Sequence, residues 1–253
     1  MLLPLVHNLH YSWSGWPSAA EFPLEPAAPF LDDLRAAWRR DGLELESRNW
    51  RPDVISMTFH AAPDASPVFI TARVKGRIQH TLRRSGTPCD FSRKVALRSL
   101  GDNQSDVVGN YLREQTARAD FADERYRATL REASLEDATV DLSAPAETNS
   151  GRYWYNLHLV AVTQDRVRVG REDFLYKIRD GVLAWAREMD CRLGSLALMP
   201  DHVHLAVRGA LARSPMELAE TLWRTLNRAA GCRLMSDKVY AGTFSEYSVK
   251  VVL

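Results

Sequence analysis

Two histidines in a short apolar segment are the side chains of this sequence best placed to do chemistry. The segment runs from Met199 to Val207, and within it His202 and His204 are separated by one residue. Its apolar character predicts a buried strand, in which residues i and i+2 project from the same face. The two imidazoles would then point together and could share a metal ion. The alternative is a pair of ordinary hydrogen-bonded strand histidines, and the pair alone does not decide between the two interpretations.

A tyrosine and a glutamine on a predicted helix form a second candidate pair. The helix covers about residues 102–118, and Tyr111 and Gln115 lie on one of its faces, one turn apart. An amide oxygen can complete the ligand set of a metal ion, and a phenol oxygen can attack a phosphorus atom that the metal has polarised. This spacing is common on helix surfaces, so the pair gains weight only in combination with the histidines.

The composition indicates a globular chain rather than a membrane-spanning or disulfide-rich one. Its 253 residues are 45% hydrophobic, which allows a sizeable core and two domains of about 100 to 150 residues. No run approaches the roughly 18 apolar residues of a membrane span. The start of the chain lacks the basic segment of a signal peptide, so the cytoplasm is the expected location. The three scattered cysteines fit a reducing compartment and argue against a cysteine-built zinc site.

The candidate site residues belong to a sequence that contains an internal repeat. Three short motifs recur 148 residues later, at positions 8 and 156, 52 and 200, and 66 and 214: Asn-Leu-His, Pro-Asp and Ser-Pro. The first copy predicts a strand over 5–13, a helix over 29–41, strands over 43–50 and 54–60, and a helix over 67–84. The second predicts a strand over 153–163, a helix over 172–189, strands over 192–199 and 202–208, and a helix over 215–230. A fourth strand follows in each copy, which gives an α+β fold of two ferredoxin-like (βαββαβ) repeats with antiparallel sheets.

The two copies differ where the chemistry would be. We assign residues 1–118 to the first repeat, 119–152 to a linker and 153–253 to the second repeat. The linker is predicted to be helical to about residue 134 and a polar tether beyond it. Val54 and Ser56 stand in the first repeat where the second has its two histidines, and neither can replace imidazole as a ligand. The second repeat has no counterpart of the tyrosine helix at 102–118, so each copy is expected to have lost one half of a site.

These motifs resemble a known family. The string Met-Pro-Asp-His-Val-His-Leu at 199–205, followed by a helix that opens with Ser214-Pro215, resembles the single-tyrosine HUH transposases. These enzymes include insertion-sequence and REP-associated transposases and act on single-stranded DNA. The string Tyr-Leu-Arg-Glu-Gln at 111–115 resembles their C-terminal helix, which carries the tyrosine nucleophile and a glutamine metal ligand.

The resemblance implies an enzyme and assigns roles to individual residues. It implies a divalent ion, Mg²⁺ or Mn²⁺, held by His202, His204 and Gln115, with Tyr111 as the nucleophile and Asp201 as a supporting residue. The expected reaction is cleavage and rejoining of single-stranded DNA, with a hairpin as a further recognition element, through a 5′-phosphotyrosine intermediate. Family members form dimers with composite sites, so this chain resembles such a dimer fused into a pseudo-dimer with one site. A monomer is expected, with a homodimer as the alternative.

Basic side chains supply candidates for contact with DNA phosphates. The net charge is only +1, but eight lysines and arginines and one acidic residue fall within residues 73–98. An ordinary solvated surface explains this run equally well. The candidates are Arg73, Lys75, Arg77, Arg83 and Arg84 in the first repeat, and Arg224 and Arg228 in the second. Among the tryptophans, Trp13 and Trp16 are the ones expected to be exposed for base stacking.

Two other classes of function remain open from the sequence. The chain could be a transposase-derived module that binds hairpin or single-stranded DNA without cutting it. It could also be an unrelated histidine-dependent metal hydrolase, although no third acidic or histidine ligand is evident nearby. A covalent protein–DNA adduct separates the enzyme from the binding module.

Overall fold

The computed structural model describes residues 3–18, 21–102, 104–118 and 123–247. The first half of the chain contains β1 (Leu5–Asn8), β2 (His10–Pro17), α1 (Ala28–Arg40), β3 (Leu43–Trp50), β4 (Ile55–Ala61), α2 (Pro67–Arg84), β5 (Phe91–Leu100) and α3 (Ser105–Arg118). The second half contains α4 (Glu124–Ala133), β6 (Leu135–Glu136), β7 (Ala146–Thr148), β8 (Gly151–Trp154), β9 (Asn156–Thr163), α5 (Glu172–Glu188), β10 (Arg192–Met199), β11 (His202–Arg208), α6 (Pro215–Ala230) and β12 (Met235–Thr243).

The strands form two six-stranded sheets, one built around each repeat. Their orders are β3-β4-β2-β5-β8-β7 and β1-β12-β9-β11-β10-β6. In each sheet the four strands of one repeat pair antiparallel in the ferredoxin-like order. The predicted α+β fold with two βαββαβ repeats is confirmed.

The same local signals start the second helix of each repeat. Ser66 accepts a hydrogen bond from the Phe69 amide, and Ser214 accepts one from the Glu217 amide. Each serine is followed by a proline in the first helical position, where a missing N–H costs nothing. These caps explain why α2 and α6 begin at the residues that the sequence predicts.

In each repeat, the beginning of the first strand pairs with the sheet of the other repeat. β1 pairs in parallel with β12, and β8 pairs in parallel with β5. The sequence predicts unbroken strands over 5–13 and 153–163, but the chain bends at Leu9 and Tyr155 and the two parts of each strand join different sheets. Shared backbone hydrogen bonds therefore tie the two repeats together at both junctions.

Helices cover one face of each sheet and enclose a core that continues across both repeats. The apolar faces of α1 and α2 pack on the first sheet, and those of α5 and α6 pack on the second. Trp38 and Trp185 are each 1% exposed within this core. Trp13 is 0% exposed, so its predicted exposure is wrong, because residue 13 faces the core side of β2; Trp16 is 40% exposed. No helix within the described residues is long and apolar enough to cross a membrane.

A buried serine joins the two repeats beside the candidate site. The Ser99 hydroxyl donates to the Phe244 carbonyl at 2.8 Å and accepts from the Asn156 amide at 3.1 Å. Ser99 is 0% exposed, so both bonds are shielded from water. The end of β5, the end of β12 and the start of β9 are thereby held together.

The segment between the repeats is folded rather than free. Its first part is α4, in agreement with the predicted helix. The predicted polar tether beyond residue 134 is wrong, because β6 pairs with β10 and β7 pairs with β8 along the edges of the two sheets. Asp137 and Asp141 close turns in it by accepting hydrogen bonds from the amides of Thr139 and Ser143.

The last helix of the first repeat packs on the second sheet. Val108 and Leu112 of α3 form a small buried cluster with Ala197, Ala206 and Phe244 of the second repeat. Ala206 is two residues beyond His204 on β11, so α3 covers the histidine-bearing face of the sheet. The start of α3 is fixed to the end of β12, where the Ser105 amide donates to the Ser245 carbonyl.

Candidate active site

Both predicted histidines lie on one face of β11. Their ring centroids are 4.7 Å apart, with an angle of 79° between the ring planes. Val203, Leu205 and Val207 point the other way, into the main core. β11 is held between β10 and β9 by antiparallel pairing, so the backbone beneath both imidazoles is fixed.

The predicted nucleophile lies beside one of these histidines. The ring of Tyr111 stands edge-on to the ring of His204, with 5.5 Å between centroids and 79° between planes. Tyr111 is 42% exposed, so a substrate can reach its hydroxyl. Because α3 belongs to the first repeat and β11 to the second, the structure brings together a tyrosine and a histidine from different repeats.

The predicted glutamine ligand shares this helix. Gln115 is half-buried and lies four residues beyond Tyr111, a rise of about 6 Å along the helix axis. Within the described residues, no group of three or more His, Cys, Asp or Glu side chains is arranged to hold a metal ion. A ligand set of two imidazoles and one amide does not conflict with this finding, since glutamine is not one of those four residue types.

Asp201 orients the first histidine. Its Oδ1 lies 2.6 Å from His202 Nδ1, and its Oδ2 lies 3.2 Å from the Arg166 guanidinium. Burial raises the pKa of Asp201, but hydrogen bonds and charges from His202 and Arg166 outweigh burial and leave that pKa below its ordinary value. An ionised Asp201 accepts the Nδ1–H of His202, which leaves the Nε2 lone pair of this ring for another partner.

A third histidine, which the sequence analysis missed, completes the cluster. His158 Nε2 lies 3.0 Å from His204 Nδ1, and the two rings lie edge to edge in nearly parallel planes, with 5.2 Å between centroids and 16° between planes. A signal was present, because His158 belongs to the Asn-Leu-His motif that reveals the repeat. Only the register between β9 and β11, which places His158 opposite Ala206, shows that it faces His204.

Lowering the pH from 7 to 5 should reduce the free energy of unfolding through His158 and His204. Burial lowers the pKa of His158 from 6.5 to about 4, and mainly burial lowers that of His204 to about 3. The unfolded chain therefore binds protons below pH 6.5 that the folded protein does not bind. The stabilising contribution of the two neutral histidines is fully present above pH 6.5 and is lost as the pH falls towards 4 and 3. Between pH 7 and 5, each histidine should lower the free energy of unfolding by roughly 2 kcal/mol.

Urea unfolding of the wild type and of His158→Gln at both pH values checks this expectation. Since glutamine does not titrate, the variant should lose about half of the pH-dependent difference that these two histidines cause. Equal pH dependence in the two proteins would contradict it.

The basic candidates on α2 are placed away from the histidines. They project from a helix that packs on the first sheet, whereas the histidines lie on the second. Most of them already have partners: Arg73 and Arg77 pair with Asp41, Lys75 donates to the Ser92 carbonyl, and Arg84 pairs with Asp33, while Arg83 is exposed. The structure does not bring this group to Tyr111.

The basic candidates on α6 lie on the face of the second sheet opposite the histidines. α6 packs against the core face of that sheet, and α3 packs against the opposite face. Arg224 pairs with Glu220 at 3.4 Å, and Arg228 donates to the Thr225 hydroxyl. Neither arginine is brought to the histidine face.

A different group of arginines, also missed, flanks the site. After β9, a span of six residues contains Arg166, Arg168 and Arg171, and Arg166 contacts Asp201 directly. Arg166 and the preceding Asp165 have positive φ angles of 56° and 52°, which marks a tight turn. The Val169 amide donates to the Pro200 carbonyl, so this loop is fixed to the turn before β11. Three arginines over six positions were the available sequence signal.

Comparisons with known proteins identify the histidine half of this arrangement. A family model described as "Transposase IS200 like" matches residues 152–229, which include β9, β11 and His158, His202 and His204. No curated protein matches the chain.

Two solved structures are distant likenesses. The regulatory subunit of aspartate kinase from Thermus thermophilus is 10% identical, with 87% of this chain and 93% of that chain covered and a TM-score of 0.22. Aspartate kinase from Clostridium acetobutylicum is 8% identical, with 88% and 33% covered and a TM-score of 0.22. Similarity at this level carries no argument about function. The family match over residues 152–229 supports a relationship of the second repeat to the IS200-like, single-tyrosine transposases.

Proposed function

We propose that this chain is a metal-dependent endonuclease and transposase that cleaves and rejoins single-stranded DNA through a 5′-phosphotyrosine intermediate. Its one composite active site combines Tyr111 of the first repeat with His202 and His204 of the second. The observation that carries the proposal is the edge-on contact of Tyr111 with His204, at 5.5 Å between ring centroids.

The side chains around the histidines suit a divalent ion. Asp201 and His158 each engage the Nδ1 atom of one histidine, so the two Nε2 atoms are the ones left to bind a metal. The Gln115 amide oxygen, one turn from Tyr111, is the third proposed ligand. Two nitrogen ligands favour Mn²⁺ over Mg²⁺, which prefers oxygen. A bound divalent ion would supply Lewis-acid polarisation of the scissile phosphate.

The chain's own residues account for the covalent step. Tyr111 Oη attacks the phosphorus, the new P–O bond links DNA to the protein, and the bond from phosphorus to the 3′ oxygen breaks. The phenolic proton passes to water, which reaches this 42% exposed side chain, and the leaving 3′ oxygen takes a proton from water. Rejoining reverses these bonds, so no external energy source is needed.

The surroundings of the site indicate how DNA is held. Arg166, Arg168 and Arg171 belong to one basic loop, in which Arg166 pairs with Asp201 next to His202 and Arg171 pairs with Asp173. We propose this loop, rather than the arginines of α2 and α6, as the main phosphate contact near the site. A hairpin in the DNA would be held by other surfaces of the protein.

The proposed unit is a monomer with one site. In the first sheet, Val54 precedes β4 and Ser56 lies within it, at the places that correspond to His202 and His204. β1 and β8 are exchanged between the repeats and join them into one folded unit. The two repeats would thus take the places of the two subunits of a dimer. This is the arrangement we call a pseudo-dimer.

The test is a covalent adduct with labelled single-stranded DNA. The full chain is incubated with a panel of hairpin-bearing oligonucleotides and Mn²⁺, denatured, and separated by electrophoresis. A labelled band at the size of protein plus DNA, absent with a chelator and mapped by mass spectrometry to Tyr111, is the expected result. Tight DNA binding without any adduct would instead support the non-cutting binding module.

A further inference from the structure

The hydrogen bond between His158 and His204 has a direction with a chemical consequence. A bond between two ring nitrogens 3.0 Å apart contains one proton, so one ring donates and the other accepts. If His204 donates from Nδ1, its Nε2 keeps a lone pair. If His158 donates, the proton of His204 resides on Nε2 and no lone pair points to the face beside Tyr111.

We propose that His158 is a positioning residue: it accepts the Nδ1–H of His204 and so holds the Nε2 lone pair of His204 towards the space beside Tyr111. This inference rests on the proposed function, in which His204 is a metal ligand. His158 itself is not a ligand through Nε2, because that atom is occupied by His204.

The neighbouring histidine is held in the same way. Asp201 Oδ1 engages His202 at Nδ1, the same ring atom that His158 engages in His204. Two different side chains on two different elements therefore impose one tautomer on both histidines. With this tautomer, the Nε2 atoms of both histidines would have a lone pair available to bind a metal ion.

Packing fixes the orientation of the His158 ring. It is hydrogen-bonded to His204 with 16° between the ring planes, and the ring of Tyr240 stands edge-on to it at 6.0 Å between centroids. Gly242 lies opposite His158 in the sheet, and a side chain there would collide with the Tyr240 hydroxyl, since a Cβ would lie 2.3 Å from it. Gly242 thus makes room for the tyrosine that holds His158 in place.

The first repeat contains a control for this inference. His10 occupies the position of His158, but Ser56 replaces the histidine that it would contact. There His10 Nδ1 bonds to Glu46 at 2.8 Å and Nε2 bonds to Asn8 at 2.7 Å. The Asn8 amide nitrogen donates to Asp102, so the Asn8 side-chain oxygen is the atom that faces His10. Without a partner imidazole, the equivalent residue serves a local polar network.

The experiment combines ¹⁵N NMR of the imidazoles in metal-free protein with Mn²⁺ titration. The wild type should show His204 as the Nδ1–H tautomer. His158→Leu should lose this single tautomer and bind Mn²⁺ about 10- to 100-fold more weakly. His158→Gln should keep the tautomer and most of the affinity, because its side-chain oxygen can accept the proton. His10→Gln, the matched variant in the first repeat, should bind Mn²⁺ as the wild type does.

Two results would overturn the inference. One is an Nε2–H tautomer of His204 in the wild type, and the other is unchanged Mn²⁺ affinity in a folded His158→Leu or an equal loss in His158→Gln. The positioning role and the proposed function are tested separately. The tautomer of His204 can be measured by NMR even in a protein that forms no DNA adduct. Thermal unfolding of each variant shows whether the fold is intact, and His158→Gln decides the matter if His158→Leu does not fold.

Discussion

Replacing Tyr111 with phenylalanine should abolish the covalent DNA adduct while leaving the fold and DNA binding intact. The change removes only the hydroxyl, and the ring can keep its edge-on contact with His204. Since that oxygen would form the only bond between protein and DNA, we expect adduct formation to fall by at least about 10³-fold. Denaturing electrophoresis measures the adduct, and fluorescence anisotropy measures binding of the same oligonucleotide.

Tyr176→Phe is the matched control for this change. Tyr176 lies on α5, which packs on the core face of the second sheet, away from α3. Its variant should form adduct at the wild-type rate. An adduct that persists in Tyr111→Phe would show that another residue is the nucleophile.

Replacing either His202 or His204 with alanine should remove metal-dependent cleavage. Each is proposed to supply one nitrogen ligand, so each single variant should lose Mn²⁺ binding and reduce adduct formation by at least about 10³-fold. The double variant should be scarcely worse than either single one, because the two ligands act as a unit. Isothermal titration with Mn²⁺ and the adduct assay measure both effects.

His60→Ala is the control for the histidine variants. His60 also lies on a sheet strand, β4 of the first repeat, where its ring is near His7 and His10 rather than Tyr111. It should bind Mn²⁺ and form adduct as the wild type does. Full activity in His202→Ala or His204→Ala would contradict the proposed ligand set.

Local signals predicted the elements, and the reasons are visible in the structure. The Ser-Pro pairs at 66 and 214 cap α2 and α6, and the apolar segments at 192–199 and 202–208 form β10 and β11 at those bounds. The repeat itself predicted the two βαββαβ units, because the same order of apolar runs and turn or cap residues in both copies indicates the same order of elements. The spacing of Tyr111 and Gln115, and of the two histidines, predicted which side chains share a face.

Features that depend on pairing between distant strands could not be predicted in the same way. The bends at Leu9 and Tyr155 follow from an exchange with the other sheet, and nothing local marks them. His158 looks like an ordinary strand histidine until the register of β9 with β11 is known. That the arginines of α2 and α6 lie away from the histidines could not be predicted, because charge along a helix does not tell which face of the sheet the helix covers.

The central claim is that Tyr111 and His204 act together within one chain. Mixing Tyr111→Phe with His204→Ala tests it directly, because each variant retains the half that the other lacks. If the site forms within the chain, the mixture should produce no more adduct than the variants do separately. Restoration of adduct in the mixture would show that the tyrosine of one molecule works with the histidines of another, and would contradict the account.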